Sequence, residues 1–367
     1  MFPRRHRART LTLLVAPLVA LAACGGSSSP NDAQTSSTTA TTEEPTTLPS
    51  VTTTSVPAST TAASATTGAA PAASEVSPLT GLAPADPATL TRPAMAVKID
   101  NHPDARPQAG LNQADIVYEE IVEGITRFFT IFQSTDAGPI GPIRSARTTD
   151  VNLLNQLNRP FLVWSGGNAK VVAAIAGANA ESRAHGQAPG FYRDAERRKH
   201  VDLEHTLFNE GTQTIYATAT PAQAAPSPFF TYGTPTGGDP VSKITMKMNS
   251  VPVEWTWDAG QGLFIRSEYG AAHIDAAGVP IGAQNVVVQF IDYKTSAADP
   301  KSPEAITVGQ GDALVYTAGK VTLGHWDRPD AIKPATFTDG AGQPVVLTPG
   351  RTWIELAEAG VTTVTAA

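Results

Sequence analysis

The sequence predicts an α/β or α+β domain with a mixed sheet, then a β-rich domain, with a disordered linker before both. Strand-like apolar runs and helical patterns alternate between residues 94 and 178, as in mixed sheets covered by helices. From residue 241 onward, short strand-like runs are separated by turn residues without helical periodicity. Residues 221–240 are dense in Pro and Gly, which marks a boundary. We therefore expect domains at 78–225 and 240–367.

Each element of the first domain has a local signal. A helix is expected after Thr148 or Thr149, because apolar residues recur at helical spacing through residue 157. A second, Ala-rich helix is expected after Asn168, a suitable N-cap residue. The predicted strands of the first domain lie at 94–100, 114–121, 125–133 and 161–167. Those of the second domain lie at 243–248, 252–257, 262–267, 285–293, 312–319, 320–326 and 351–356.

Residues 1–23 have the features of a signal peptide. Four arginines precede an apolar run at 11–23, which is too short to cross a bilayer and ends in small residues. The segment ends in "LAAC", which resembles the lipobox of bacterial lipoproteins. That resemblance implies that the Cys24 thiol is lipidated and that Cys24 becomes the mature N terminus. Two acyl chains such as palmitate hold a protein on a membrane. Because the signal peptide directs export, we expect the lipidated protein on the outer face of the cytoplasmic membrane.

Residues 24–77 are the lipidated Cys24 and the predicted linker. About three-quarters of residues 25–77 are Ser, Thr, Ala or Pro, and none is basic or aromatic. Such a segment buries too little apolar surface to offset its ordering entropy, which predicts disorder. Removal of the four signal arginines takes the formal net charge from −7 to about −11. This acidity disfavours nucleic acid as a partner. Cys24 is the only cysteine, so no internal disulfide is expected.

Several motifs resemble one bacterial family, the YerB-like lipoproteins, which are defined by a two-part domain of unknown function. In the first half these are "PLTGL", "KIDNHPDARPQAGLNQADIVYEEIVEGITRFFTIFQ", "IGPIRSAR" and "FYRD". In the second half, "GDALVYTAGKVTLGHW" and "LTPGRTWIEL" continue the match. The chain departs from the family at two places. It has the single Gly124 where a double Gly is usual. The family's Pro-His-Asn-Leu motif appears as "EHTLF", in which His205 and Leu207 are kept and Glu204 and Thr206 are substituted. The resemblance implies a lipid-anchored, two-domain envelope protein and supplies no activity.

Polar residues are concentrated between Asp100 and Arg106, where a predicted strand ends. Three interpretations remain open. Asp and Asn at such positions commonly bond the backbone of the following turn. Alternatively, Asp100 and His102 line a cleft at the carboxyl end of the strand, and Arg106 holds an anionic group. The third is a metal site, but one histidine beside carboxylates is a weak ligand set. No metal is predicted.

Three glutamates and an arginine flank a predicted hairpin. A tight turn at residues 123–124 would place Glu120 opposite Arg127 as a cross-strand pair. Side chains alternate along a strand, which puts Glu119 on the other face. One interpretation is simple charge pairing. The others are ligand binding, or acid and base catalysis by Glu119 and Glu123 as in glycoside hydrolysis.

Arg144, Ser145 and Arg147 follow two Gly-Pro steps and precede a predicted helix. Two guanidinium groups beside a helix start would form a receptor for a carboxylate or phosphate. In the other interpretation, Arg144 and Arg147 neutralise acidic groups inside the fold. The "SGGN" loop at 165–168 follows a strand and precedes a helix, so it is also placed to line a cleft.

Together these patterns predict a non-catalytic binding or scaffold protein with one polar cleft in its first domain. The alternative is an envelope hydrolase or transferase acting on glycan or peptide, with Glu119 and Glu123 as catalytic residues. No cofactor is predicted. The expected partners are the membrane, through the lipid anchor, and a cell-wall component or another envelope protein. The predicted cleft residues are Asp100, His102, Arg106, Glu119, Glu123, Arg127, Arg144 and Arg147.

Overall fold

A computed structural model describes residues 76–367 of the chain. The predicted signal at 1–23, the lipidated Cys24 and nearly all of the predicted linker lie outside the described residues. Within 76–367, no helix has both the length and the hydropathy that crossing a membrane requires. The described residues all belong to one compact unit.

The described residues form three α-helices: α1 (Thr149–Asn155), α2 (Ala169–Ala176) and α3 (Thr212–Tyr216). The strands up to residue 232 are β1 (Met95–Asp100), β2 (Ile116–Ile121), β3 (Thr126–Phe132), β4 (Phe161–Trp164), β5 (Glu181–Ala184), β6 (Phe191–Arg193), β7 (Leu207–Asn209) and β8 (Thr231–Tyr232). The later strands are β9 (Asp239–Pro240), β10 (Lys243–Met248), β11 (Val251–Asp258), β12 (Leu263–Glu268), β13 (Ala271–Ala272), β14 (Gly282–Ala283), β15 (Asn285–Ile291), β16 (Tyr293–Thr295), β17 (Pro303–Ala305), β18 (Gly309–Thr317), β19 (Lys320–Arg328), β20 (Thr336–Asp339), β21 (Val346–Leu347), β22 (Thr352–Glu358) and β23 (Val364–Ala366).

A mixed central sheet runs through both halves of the chain. Its strand order is β20-β19-β18-β15-β22-β2-β3-β1-β4-β5, with β9 alongside β19. β22 is parallel to both β15 and β2, so a strand from near the C terminus joins the two halves. The two halves of the chain on either side of the expected boundary at 221–240 therefore share one sheet.

Both faces of the central sheet are covered. β1, β2 and β3 are buried along their whole length, as expected of strands with a layer on each side. On one face, Leu153 of α1 and Ile175 of α2 pack into the core. On the other face lies a second sheet of order β13-β12-β11-β10-β23, with β14 beside β12. Trp255 and Phe264 of this second sheet are in one core cluster with Trp353 of β22.

The elements predicted from local patterns are confirmed. The four strands expected in the first domain are β1 to β4, and each of the seven expected in the second domain is present. α2 begins after Asn168, whose Oδ1 accepts hydrogen bonds from the backbone N–H groups of Lys170 and Val171. α1 begins at Thr149, but the cap differs: Thr148 makes no side-chain capping bond, and Asp150 Oδ2 accepts from the Arg147 N–H.

Candidate functional site

Charged side chains of β1, β2 and β3 are sorted onto the two faces of the central sheet. Along β2, Glu119 faces the second sheet, where it meets Arg266 of β12. Glu120 faces the helices, where it meets Lys98, the ion-pair partner of Asp150 in α1. This alternation was predicted from the sequence. It divides the predicted cleft residues into two groups.

On the first face lies the buried carboxylate cluster, which consists of Glu119, Arg266, Glu268 and Glu355. All four side chains are buried. Arg266 Nη2 donates to Glu119 Oε2 at 2.7 Å, and Arg266 Nη1 pairs with Glu268. Glu355 stands beside Glu119 on the neighbouring parallel strand β22. Burial, and after it the charge of Glu119, raises the pKa of Glu355 well above its ordinary value.

This geometry contradicts the interpretation of Glu119 and Glu123 as an acid and base pair. Glu119 has no solvent-exposed surface and is held by Arg266. Glu123 instead bonds Arg147, in the loop before α1. Local sequence could not reveal this separation, because Arg266 lies 147 residues from Glu119 along the chain.

The ion-pair partner of Glu120 is Lys98, and not Arg127 as the hairpin pattern predicted. Glu120 and Arg127 are register partners, as predicted, but Glu120 bonds Lys98, which also donates to Asp150 Oδ1 at 2.9 Å. Burial, and then the charge of Asp150, raises the pKa of Glu120 to about 7 despite the opposing effect of Lys98. Glu120 is therefore bonded by Lys98 and not by Arg127, and its Oε2 atom has no hydrogen-bond partner among the described residues.

Arg127, Arg144 and Arg147 form what we call the arginine cluster. Arg127 is only 3% exposed. Its Nη1 donates to the Ser145 carbonyl at 3.0 Å, its Nε has no hydrogen-bond partner, and it forms no ion pair with any described residue. Burial first, then the positive charge of Arg147, lowers the pKa of Arg127 to about 10, although the charges of Asp100 and Glu123 act to raise it. Arg127 is thus a buried cation without a direct anionic partner among residues 76–367.

The other two members of the arginine cluster have carboxylate partners. Arg147 binds Glu123 through two hydrogen bonds of 2.8 and 2.6 Å. Burial acts to raise the pKa of Glu123, but the hydrogen bonds and the charge of Arg147 act against it, and this pKa is lowered to about 2. Arg144 Nε lies 3.3 Å from Asp100 Oδ2. Arg144 and Arg147 therefore neutralise internal carboxylates, whereas Arg127 does not.

Beside the arginine cluster is a polar cavity of about 300 Å³, here named the hydroxyl cavity. Three segments form its wall: the loop before α1, the loop before α2 together with the first turn of α2, and the loop between β16 and β17. Because β4 ends at this loop, the cavity lies at the carboxyl end of a strand, where α/β sheets bind ligands. Its lining residues are Ser145, Arg147, Gly167, Asn168, Val171, Ser296, Asp299 and Ser302.

At the end of β1 lies a further group, the histidine cluster of Asp100, His102, Asp104 and His205. Asp100 Oδ1 accepts from the His102 backbone N–H at 3.1 Å, as the turn interpretation expects. Asp100 Oδ2 lies 2.7 Å from His205 Nδ1. The rings of His102 and His205 stack with centroids 4.6 Å apart. His205, the histidine of the "EHTLF" motif, reaches this cluster from a segment that the local sequence pattern did not connect to the end of β1.

Arg106 lies with the buried carboxylate cluster. It pairs with Glu268, and its guanidinium carbon is 5.2 Å from the centre of the Tyr269 ring. It also lines a cavity of about 540 Å³ together with His273 and Asp275. The prediction of one shared cleft is therefore wrong in this respect: Glu119 and Arg106 serve the contact with the second sheet. The lipidation site Cys24 lies outside the described residues.

Comparisons with known proteins match both halves of the chain. Residues 79–224 match the family model for the N-terminal domain of a protein of unknown function (DUF3048), and residues 242–354 match its C-terminal domain. YerB of Bacillus subtilis strain 168, described as a lipoprotein, is 30% identical over 295 residues, which is 76% of this chain and 85% of the relative. The crystal structure of the Bacillus subtilis YerB protein is similar with a TM-score of 0.68 and 25% identity, and the match covers 79% of this chain and 99% of that one.

The fold and the two matched domains define a class of two-domain proteins whose halves complete one mixed sheet. The chain belongs to the YerB-like family of proteins of unknown function (DUF3048). This confirms the resemblance found in the sequence motifs.

Proposed function

We propose that this protein is a lipid-anchored protein of the bacterial cell envelope that binds a polar, anionic ligand in the hydroxyl cavity. One observation carries the ligand proposal: Arg127 is buried without a carboxylate partner among the described residues, directly behind Ser145 of the cavity wall. Burying an unpaired charge is costly. An anion in the cavity would offset part of that cost.

The anchor rests on two supports. The "LAAC" motif ends a signal-like segment, and the relative YerB is described as a lipoprotein. Lipidation of Cys24 with two acyl chains would hold the protein on the outer face of the cytoplasmic membrane. The Ser/Thr/Ala/Pro-rich segment that follows would let the body reach the wall beyond. Replacement Cys24→Ser should then move the protein from the membrane fraction to the soluble fraction.

The chemistry of the cavity indicates the ligand class. Ser145, Ser296 and Ser302 line it together with the carboxylate residue Asp299, and Arg147 supplies a guanidinium. A volume of about 300 Å³ is at the small end of the range for ligand pockets, roughly 300–1,000 Å³, which suits one sugar ring better than an extended glycan. A hydroxyl-rich ligand with one carboxylate uses both kinds of lining group. An acidic amino sugar of the cell wall has this chemistry.

Binding is favoured over hydrolysis because of where the carboxylates lie. Glu119 is enclosed between the two sheets, and Glu123 is held by Arg147 with a pKa of about 2. A general acid needs a proton near neutral pH, which Glu123 lacks.

Two sugars that differ in one carboxylate test the proposal. N-acetylmuramic acid carries a lactyl carboxylate that N-acetylglucosamine lacks. Titration of the purified full-length protein, followed by calorimetry and melting temperature, should show binding of the acidic sugar at least tenfold tighter than that of the neutral one. A charge-assisted hydrogen bond of about 1.5–3 kcal/mol corresponds to that ratio.

Variants locate the binding. Arg147→Gln should lower the affinity for the acidic sugar at least tenfold and leave the weaker affinity for the neutral sugar nearly unchanged. Arg159→Gln is the matched control, because Arg159 also pairs with a glutamate, Glu181, but lies outside the cavity lining. Equal affinities for the two sugars, or equal effects of the two variants, would refute the proposal.

A further inference from the structure

We propose that His102, Asp104 and His205 bind a divalent transition-metal ion of the zinc class. Among residues 76–367, these three side chains bring one donor atom each to within 4.8 Å of one another. Two imidazole nitrogens and a carboxylate oxygen are ligands that zinc binds in proteins. They come from two distant loops: the turn after β1, and the 3-10 helix Leu203–His205. The site does not depend on the hydroxyl cavity, whose lining includes none of the three.

His205 has the support that metal-binding histidines usually have. Its Nδ1 lies 2.7 Å from Asp100 Oδ2, and Asp100 is fully buried. A carboxylate on one ring nitrogen fixes the ring and increases the basicity of the other nitrogen, which is the common second contact of histidine ligands. The His205 Nε2 atom is thus left for a ligand. Glu204 Oε1 lies 3.7 Å from it and supplies a further carboxylate nearby.

The turn that carries the other two donors is held in place by contacts outside it. Asp104 lies in the 3-10 helix Pro103–Ala105, which begins directly after His102. The Arg197 guanidinium donates to the backbone carbonyls of Asp104 and Pro107, at 3.4 and 2.5 Å. These contacts engage backbone atoms and fix the loop. His102 Nδ1 accepts the Asp104 backbone N–H at 3.2 Å, which leaves His102 Nε2 and the Asp104 carboxylate for a ligand.

The remaining adjustment falls on the exposed His102 and Asp104 side chains, and the His102 ring must tilt out of its stack on His205 because an imidazole nitrogen binds a metal in the plane of its ring. Bonds to zinc of about 2.0–2.2 Å require the donors to approach one another by roughly 1–1.5 Å. The His102 and Asp104 side chains are 40% and 55% exposed and can rotate. The charge balance suits a cation: the Asp104 carboxylate lies beside His102, and of the nearby carboxylates Asp100 and Glu204 pair with the guanidinium of Arg144. Three protein donors leave a coordination position for water or another ligand.

The test is zinc binding by the purified full-length protein after treatment with a chelator. Calorimetry and elemental analysis should give one Zn²⁺ per chain. His102→Ala and Asp104→Asn should each weaken this binding at least tenfold, since each removes one of three donors. His325→Ala is the matched control, because His325 forms an exposed pair with Asp312 that has no third donor assigned to it among the described residues.

Each outcome decides the proposal. Loss of affinity in His102→Ala and Asp104→Asn, with His325→Ala unchanged, supports the site. His205→Ala removes the partner of buried Asp100 and can unfold the protein, so the two exposed variants carry the decision. Absence of zinc binding by the unaltered protein, or equal affinity in all variants, overturns it. The sugar titration is read separately, because Arg147→Gln should leave zinc binding unchanged.

Discussion

Replacement of Arg266 by Met should destabilise the protein by about 3–5 kcal/mol, the cost of breaking a buried ion pair from one side. Arg266 is fully buried and holds both Glu119 and Glu268. Burial opposes its charge, but these two glutamates raise its pKa above the ordinary value. Without Arg266, two buried carboxylates lose their common cation.

The loss should come from charge and not from packing. Arg266 lies among aromatic rings, with its guanidinium carbon 5.1 Å from the Trp353 centroid and 5.9 Å from that of Trp255. Met fills irregular apolar space and contacts aromatic rings well. If the uncompensated carboxylates cause the loss, the double variant Glu119→Gln/Arg266→Met should be more stable than Arg266→Met alone.

Urea unfolding, followed through tryptophan fluorescence, measures the effect, since Trp255 and Trp353 lie beside the substitution. Arg159→Met is the control: its ion pair with Glu181 is partly exposed, and such pairs contribute about 0–1 kcal/mol. An Arg266→Met variant within 1 kcal/mol of the original protein would refute the reasoning. A double variant that is less stable than the single one would assign the effect to packing.

Three further predictions concern stability. The pKa of Glu120 is raised to about 7, so the contribution of protonated Glu120 to folding stability is complete below pH ~4.5 and is lost as the pH rises to about 7, by up to ~1.4 kcal/mol per pH unit. Glu120→Gln should therefore flatten the pH dependence of the urea midpoint between pH 4.5 and 7. An unchanged pH dependence would contradict this. Asn168→Ala removes both capping bonds of α2 and should cost about 0.5–2 kcal/mol in thermal unfolding, whereas Asn168→Asp should cost much less. Gly324→Ala should lower the melting temperature by several degrees, because the new Cβ would lie 1.9 Å from the Thr338 carbonyl oxygen, whereas Gly340→Ala meets nothing within 4 Å and should change it little.

The elements of this fold were predictable because their signals are local. β1 to β4 are apolar runs bounded by turn residues, and Asn168 is an N-cap that can be identified from the sequence. The hairpin register between Glu120 and Arg127 followed from the position of one turn. Each of these features depends on residues that are close along the chain, where periodicity and turn chemistry carry the information.

The partners of the charged residues were not predictable in the same way. Glu119 binds a residue 147 positions away, and Asp100 binds His205 at a separation of 105. Both contacts depend on how loops and sheets meet, which the local pattern does not contain. The local pattern therefore assigned Glu119 and Arg106 to a shared cleft, whereas both lie at the contact with the second sheet.

The hydroxyl cavity requires both halves of the chain, which links ligand binding to global stability. Ser296 and Ser302 come from the C-terminal half, and the Ser296 hydroxyl lies 2.8 Å from that of Thr148, at the start of α1. The Thr149 hydroxyl also accepts from the Ala305 backbone N–H at 3.0 Å. A ligand that contacts both walls binds only when the halves are assembled. At a concentration of 100 times its dissociation constant, such a ligand should stabilise the whole protein by about 2.7 kcal/mol. We therefore expect a single urea transition that shifts as a whole when the ligand is added. Two transitions, of which the ligand shifts only one, would place the ligand in one half alone.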